Sequence, residues 1–342
     1  MENKKVLLEI KNLTVGIKRE QNLLKAVNNV SFSLNEGEIT GLAGESGSGK
    51  SMTALSITNL LPPGFQIING EISLNGKTLT SMNENELRLI RGKEIGIIFQ
   101  DTKQALNPLM KAGKQITEQL TINKEKETKK TEQNAEKEAL ELLVSLGFED
   151  PEKIFDAYPH QLSGGMCQRV MAAIASITRP RLLLADEPSS SLDDESLTRI
   201  LTHLTEMSRN YKTSVLIISH DLSIIREYCS RFLVMYAGNI VEEGPSGALY
   251  SPLHPYTKAL IDSIPDKGKR GKILETIPGK APSIEDRFTG CPFAPRCAKA
   301  QKICSEKFPS EKTYNTSGEN PQSTINRKVY CHYPENGENT DG

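Results

Sequence analysis

The chain has 342 residues, with 42 basic and 43 acidic side chains and a net charge of −1. A composition 37% apolar and 25% charged is that of a globular protein with one large or two ordinary domains, and the charge balance gives no case for a nucleic-acid partner. No apolar run reaches the roughly 18 residues that would span a bilayer, and the N-terminus lacks the apolar core of a signal peptide, so a cytoplasmic chain is expected.

Residues 6–12 and 28–35 alternate apolar and polar side chains as half-buried strands do. Asn35-Glu36-Gly37 is a turn into a short apolar strand at 38–43, and a helix opens at Thr53. Between them lies Gly44-Glu45-Ser46-Gly47-Ser48-Gly49-Lys50-Ser51, followed by Met52, which fits G-x-x-x-x-G-K-[ST] in the strand–turn–helix context that this motif requires. A Gly/Ser linker would match by accident, but not in that context. Glycine lets the backbone curl with its N–H groups turned inward around a polyphosphate. The helix N-terminus adds partial positive charge. Lys50 is placed for the β- and γ-phosphates and the Ser51 hydroxyl for magnesium. This is a nucleotide-binding chain.

Strands at 70–75 and 93–99 bracket a polar helix at 84–91, and the second ends in Gln100-Asp101. Residues 102–178 read as a helical insertion. Within them, the mixed charges of 123–132 mark a solvated face, and Ala135, Ala139, Leu142, Leu143 and Leu146 recur at helical spacing up to a stop at Gly147. A helix at 165–178 leads to the apolar run 181–185 and then Asp186-Glu187, a buried parallel strand that delivers two acids. Asp186 is read as a magnesium ligand through water and Glu187 as the general base on the attacking water. The alternative is a pair of acids at a solvent edge. A helix at 194–210, a strand at 214–219, a helix to about 229 and a hairpin turned at Ala237-Gly238 complete an α/β body with a parallel sheet. Beyond 250 Pro and Gly increase and periodicity fades, so a domain boundary is expected there, with disorder after Pro334.

Leu162-Ser163-Gly164-Gly165-Met166 lies 20 residues before Asp186. With this LSGG signature the chain resembles the ATP-binding cassette (ABC) family. In order, Gln100 resembles its Q-loop glutamine, Ser191-Leu192-Asp193 its D-loop, and His220 its switch histidine. The resemblance implies a P-loop ATPase with a RecA-like core, an antiparallel β subdomain and a helical subdomain. It also implies a head-to-tail dimer in which each ATP lies between one phosphate loop and the Ser163, Gly164 and Gly165 of the other subunit. Magnesium would be held by Ser51, Gln100 and Asp186.

Leu106-Asn107-Pro108-Leu109-Met110, Tyr158-Pro159-His160-Gln161, His254-Pro255-Tyr256-Thr257 and Gly290-Cys291-Pro292-Phe293-Ala294-Pro295-Arg296-Cys297 are similar to the oligopeptide/dipeptide importer subfamily. The implied role is the D-type ATPase subunit, peripheral on the cytoplasmic face of the membrane. Its implied partners are a related F-type ATPase, two transmembrane permease subunits and, indirectly, an extracytoplasmic solute-binding protein, with no nucleic acid. Uptake of nickel, a metal chelate or a sugar is the alternative cargo, and a non-transport ABC ATPase the alternative class. The chain departs from the subfamily at Ile17, where an aromatic residue usually stacks on adenine, at Cys167, where Arg is usual, and at Ser189, Ser190 and Ser191, which stand where threonines are usual. None of these is the catalytic acid or histidine.

Four of the six cysteines, Cys291, Cys297, Cys304 and Cys331, crowd the C-terminal region at spacings wider than those of zinc knuckles. Four thiolates suit an iron–sulfur cubane, and the resemblance favours a [4Fe–4S] cluster. Zinc in the same thiolates and plain thiols are the alternatives. The expected organisation is thus a nucleotide-binding domain at 1–250 and a small cysteine-rich domain at 251–342. A metal would supply folding energy that the second domain's few apolar residues do not.

Overall fold

The computed structural model describes residues 5–20, 22–121, 129–189, 193–264, 276–317 and 324–335. The elements in chain order begin β1 (Val6–Arg19), β2 (Asn22–Asn35), β3 (Ile39–Ala43), α1 (Lys50–Ile57), β4 (Phe65–Leu74), β5 (Lys77–Thr78), α2 (Glu84–Ile90) and β6 (Ile95–Ile98). Helices α3 (Thr102–Ala105), α4 (Ala112–Thr121), α5 (Lys129–Ser145), α6 (Pro151–Asp156) and α7 (Gly164–Ser176) precede β7 (Leu182–Asp186), α8 (Asp194–Tyr211), β8 (Ser214–Ser219) and α9 (Leu222–Tyr228). The chain continues through β9 (Arg231–Tyr236), β10 (Asn239–Pro245), α10 (Pro255–Asp262), α11 (Lys302–Glu306), β11 (Lys312–Ser317) and β12 (Thr324–Val329). No helix among the described residues is long and apolar enough to cross a membrane.

Two compact units emerge. The first comprises Met1–Leu8, Leu34–Ile39 and Leu74–Ile218, and the second Glu9–Ser33, Thr40–Ser73 and Ser219–Gly342.

In the first unit β6, β7 and β8 run parallel, with Ile97 opposite Leu184 and Leu184 opposite Leu216. The run Leu182-Leu183-Leu184-Ala185 is fully buried, as a strand covered on both faces must be, and this is why it reads as continuously apolar. Helix α8 turns Ile200, Leu201, Leu204 and Met207 inward at helical spacing. Helix α2 starts at a reciprocal cap: the Glu86 N–H donates to Asn83 Oδ1 at 3.1 Å, and the Asn83 N–H donates to Glu86 Oε2 at 2.8 Å. The expected stop at Gly147 is a residue in the left-handed region, φ 78°. The charged stretch 123–132 falls partly outside the described residues, and from Lys129 it is helical.

In the second unit the strand order is β3-β9-β10-β12-β11. β3 and β9 are parallel, and the remaining pairs are antiparallel. The β9–β10 hairpin turns at Ala237 and Gly238, both at positive φ, 45° and 78°, which matches the twist of a two-residue hairpin loop. Phe232, Leu233, Val234 and Met235 form the buried spine of β9. A separate group of strands is ordered β2-β1-β4. The faded periodicity beyond 250 conceals real elements: α10, α11, and the pair β11–β12, whose inner strand extends β10 with Glu242 opposite Val329. These segments are short, and polar side chains occupy much of them, so no periodic signal builds up.

Candidate nucleotide site

The phosphate loop belongs to the second unit. Gly44 and Gly49 adopt φ of 151° and 105°. A Cβ at Gly44 would stand 2.3 Å from the Met235 carbonyl oxygen, and one at Gly49 would stand 2.5 Å from that of Ala26. Both positions are therefore closed to any side chain. Lys50 is buried and its Nζ donates to the carbonyls of Gly44 at 2.8 Å and Glu45 at 3.1 Å, so the loop curls around its own lysine. The Gly238 N–H donates to the Ser48 carbonyl at 2.9 Å, and Thr53 Oγ1 donates to the Gly49 carbonyl at 3.0 Å, which fixes the loop to the hairpin on one side and to α1 on the other. Ser51 and Met52 are half-buried in the first turn of α1, and Ser46 and Gly47 form the tip of the loop.

Two contacts here were not foreseen. The Glu45 N–H donates to Tyr256 Oη at 2.8 Å, and the Glu45 carboxylate is held by both terminal nitrogens of Arg296, at 2.7 and 3.0 Å. Tyr256 and Arg296 lie in motifs quoted above for resemblance alone, and no local spacing connects them to a loop more than 200 positions away. His220, also in this unit, is exposed, and Asp221 beside it caps α9 through the Ser223 N–H at 2.8 Å.

The first unit carries the strand acids and the signature. Asp186 and Glu187 are both buried. Glu187 has φ 50°, and its N–H donates to the Ile218 carbonyl at 2.9 Å. A non-glycine residue held in the left-handed region is the kind of backbone strain that functional positions store. Gln168, buried on α7, donates through Nε2 to the Pro188 carbonyl at 3.0 Å and so ties the signature helix to the backbone just after that acid. Ser163 caps α7, its Oγ accepting from the Met166 N–H at 3.2 Å, and the Cβ position of Gly164 opens into free space. Cys167 is fully buried against the Pro159 carbonyl, 3.6 Å away, and burial raises its thiol pKa. A neutral thiol fits a position that would not welcome an unpaired cation. Gln100 is exposed at the end of β6. Ser191 and Leu192 of the D-loop lie outside the described residues, whereas Asp193 accepts the Ser196 N–H at 2.8 Å as the cap of α8, a bond that lowers its pKa.

The phosphate loop, closed to side chains and holding a buried lysine, fits the phosphates of ATP, and in the first unit a strand-end acid is a donor of the kind that magnesium takes. The iron–sulfur expectation is different. Cys291, Cys297, Cys304 and Cys331 line one cavity together with Phe293, yet among the described residues no three His, Cys, Asp or Glu side chains are placed to hold a metal ion. The cavity measures about 20 Å³, room for about one water. Burial raises the Cys291 thiol pKa to about 11 and that of Cys331 to about 12. A cysteine-rich metal-binding domain is not supported by this arrangement.

Comparison with known proteins agrees with the nucleotide site. The ABC transporter family profile matches residues 27–190, and the profile of the oligopeptide/dipeptide transporter C-terminal region matches 241–304. The chain is 42% identical over 312 residues to the oligopeptide transport ATP-binding protein AppD of Bacillus subtilis, covering 91% of this chain and 94% of that one. It is 39% identical to the oligopeptide transport ATP-binding protein OppD of Escherichia coli, covering 89% of each. Among solved structures, the dimeric ATP-binding cassette MJ0796 in a post-hydrolysis state bound to ADP and Pi superposes with a TM-score of 0.64 at 28% identity, over 70% of this chain and 99% of that one. The chain belongs to the ATP-binding subunits of the ABC transporter family and is an ATPase, similar along most of its length to oligopeptide transport ATP-binding proteins.

Proposed function

We propose that this chain is the ATP-hydrolysing subunit of an importer of oligopeptides or dipeptides. The observation that carries this reading is continuity: identity near 40% to oligopeptide transport subunits runs through the cassette and the C-terminal region alike. The proposed organisation is a nucleotide-binding cassette at 1–250, with a helical insertion at 102–178, followed by a C-terminal region at 251–342.

The proposed division of labour follows from chemistry. The N–H groups of Gly44 to Ser51 cradle the phosphates and Lys50 contacts the β- and γ-phosphates. Ser51, Gln100 and Asp186 would hold Mg²⁺, which would supply charge neutralisation to the phosphates. Glu187 takes a proton from the attacking water, and His220 and Gln100 orient water and phosphate. Ser163, Gly164 and Gly165 of a second ATPase subunit present a helix N-terminus to the γ-phosphate. Permease subunits receive the motion through the helical insertion, which places this chain on the cytoplasmic face of a membrane.

The test is reconstitution of the chain with its permease, ATPase and solute-binding partners in vesicles. Peptide-stimulated ATP hydrolysis and peptide uptake are expected, both lost in Lys50→Ala. Stimulation by nickel or a sugar, and not by peptides, would reassign the cargo.

For Cys291, Cys297, Cys304 and Cys331 we propose a structural role as ligands of one soft metal group, a [4Fe–4S] cluster or zinc. Four thiols spread over 41 positions share one cavity, and closing such loops costs free energy that rises only slowly with their length. Iron and zinc content after anaerobic purification decides the matter: protein with neither metal, and as stable as the loaded form, removes the proposal.

A further inference from the structure

Glu45 presents an electrostatic difficulty. It places a carboxylate one residue into a loop whose work is to receive a triphosphate, and like charges at short range in a poorly screened site repel strongly. The fold answers it from the far end of the chain. Arg296, in the segment between Cys291 and Cys297, meets that carboxylate head-on. Its Nη1 donates to Oε2 at 2.7 Å and its Nη2 donates to Oε1 at 3.0 Å, the two-pronged geometry in which an arginine–carboxylate pair is strongest. The guanidinium is itself oriented by Nε donating to the Pro278 carbonyl at 2.7 Å and Nη1 donating to Tyr236 Oη at 3.2 Å. Its side chain is only 7% exposed. The bond to Glu45 raises the arginine pKa further above its usual value, so the charge is permanent.

The same residue is gripped a second time, through its backbone, by Tyr256 Oη. Tyr236, Tyr256 and Phe293 pack edge-on or tilted with ring centroids 4.5 to 5.3 Å apart, a rigid bed beneath both hydroxyl contacts. Both side chains that hold Glu45 therefore come from the region after 250, and both are packed too tightly to move independently.

We propose that Arg296 is a positioning residue for nucleotide binding. It neutralises Glu45 and holds the first turn of the phosphate loop in the shape that ATP needs, so that affinity for nucleotide depends on the C-terminal region. This rests on the nucleotide-site reading above. ATP binding by the wild-type chain is therefore measured first, and its absence would fail that reading rather than this one.

The experiment compares ATP dissociation constants, and KM with kcat for hydrolysis, in wild type, Arg296→Met, Glu45→Gln and the double variant. Removing the cation alone leaves a naked carboxylate in the loop, so Arg296→Met is expected to weaken ATP about tenfold or more, the loss appearing in KM rather than in kcat. Adding Glu45→Gln removes the repulsion and is expected to recover most of that affinity. A contact that served stability alone would show no recovery of affinity. The proposal is overturned if folded Arg296→Met binds ATP within about twofold of wild type, or if the double variant binds no better than the single one. Should Arg296→Met fail to fold, Arg296→Gln, which also removes the charge but keeps a hydrogen-bond donor, replaces it in the same comparison. Failure of both to fold makes the pair a stability element and also overturns the assignment.

Discussion

Glu242 and Arg327 form a buried ion pair: Arg327 Nη2 donates to Glu242 Oε1 at 2.8 Å, with side-chain exposures of 2% and 0%. The pair is part of a larger knot. Glu242 also accepts the Leu253 N–H through Oε1 and the His254 N–H through Oε2, each at 2.9 Å, and Arg327 donates to the Ser251 carbonyl at 2.8 Å. One carboxylate on β10 thus fastens β12 and the entry to α10, the helix that delivers Tyr256 to the phosphate loop.

Breaking that pair from one side strands a buried charge, so Arg327→Met is expected to cost about 3–5 kcal/mol, and the double variant Arg327→Met/Glu242→Gln distinctly less. Urea unfolding of both variants measures this. Equal loss in the single and double variants would show that the ionic contact matters less than the packing around it.

Glu187→Gln keeps the shape of the acid and removes the base. Turnover is expected to fall by about a hundredfold or more while ATP remains bound. Single-turnover hydrolysis and nucleotide retention on a spin column separate the two effects. Near-normal turnover in a pair with no other intact acid would disprove the role.

Ile17 is half-buried on β1, and its side chain packs on Gly64, where an added Cβ would come within 2.9 Å of Ile17 Cδ1. If this edge faces adenine, Ile17→Tyr should tighten ATP binding by about 0.5–1.5 kcal/mol through ring stacking. Calorimetry reads the change, and an unchanged dissociation constant places the base elsewhere.

Two buried histidines set an acid limit on stability. His203 contacts Ser176 Oγ through Nε2 at 2.9 Å, and burial holds its pKa at about 4, while burial holds that of His254 at about 3, against 6.5 when unfolded. Both are neutral when folded, so below about pH 6.5 the unfolded chain takes up protons that the folded chain refuses. Their contribution is complete above pH 6.5 and is lost progressively as pH falls towards 4 and 3. His203→Gln should therefore lose less stability between pH 7 and pH 5 than wild type does, a difference that urea midpoints at the two pH values report.

The phosphate loop, the acid-tipped strand at 182–186 and the signature at 162–166 were legible because each is a local requirement. Glycines where a Cβ would collide, an apolar run where both strand faces are covered, and a serine at a helix start are all expressed within a few residues of one another. The first hairpin was legible only in part: β1 and β2 extend well beyond the alternation at 6–12 and 28–35, because pairing with a neighbour carries a strand through residues that have no pattern of their own. The β11–β12 pair carried no signal, since its short strands lie in a stretch without periodicity and draw their stability from β10. Gathering four cysteines at one small cavity, turning Glu187 to positive φ, and bringing Arg296 against Glu45 across 251 positions were decisions of the tertiary structure alone. Contacts at that separation leave no mark on local composition, because what selects them is the shape of the packed chain and the cost of leaving a buried charge unanswered.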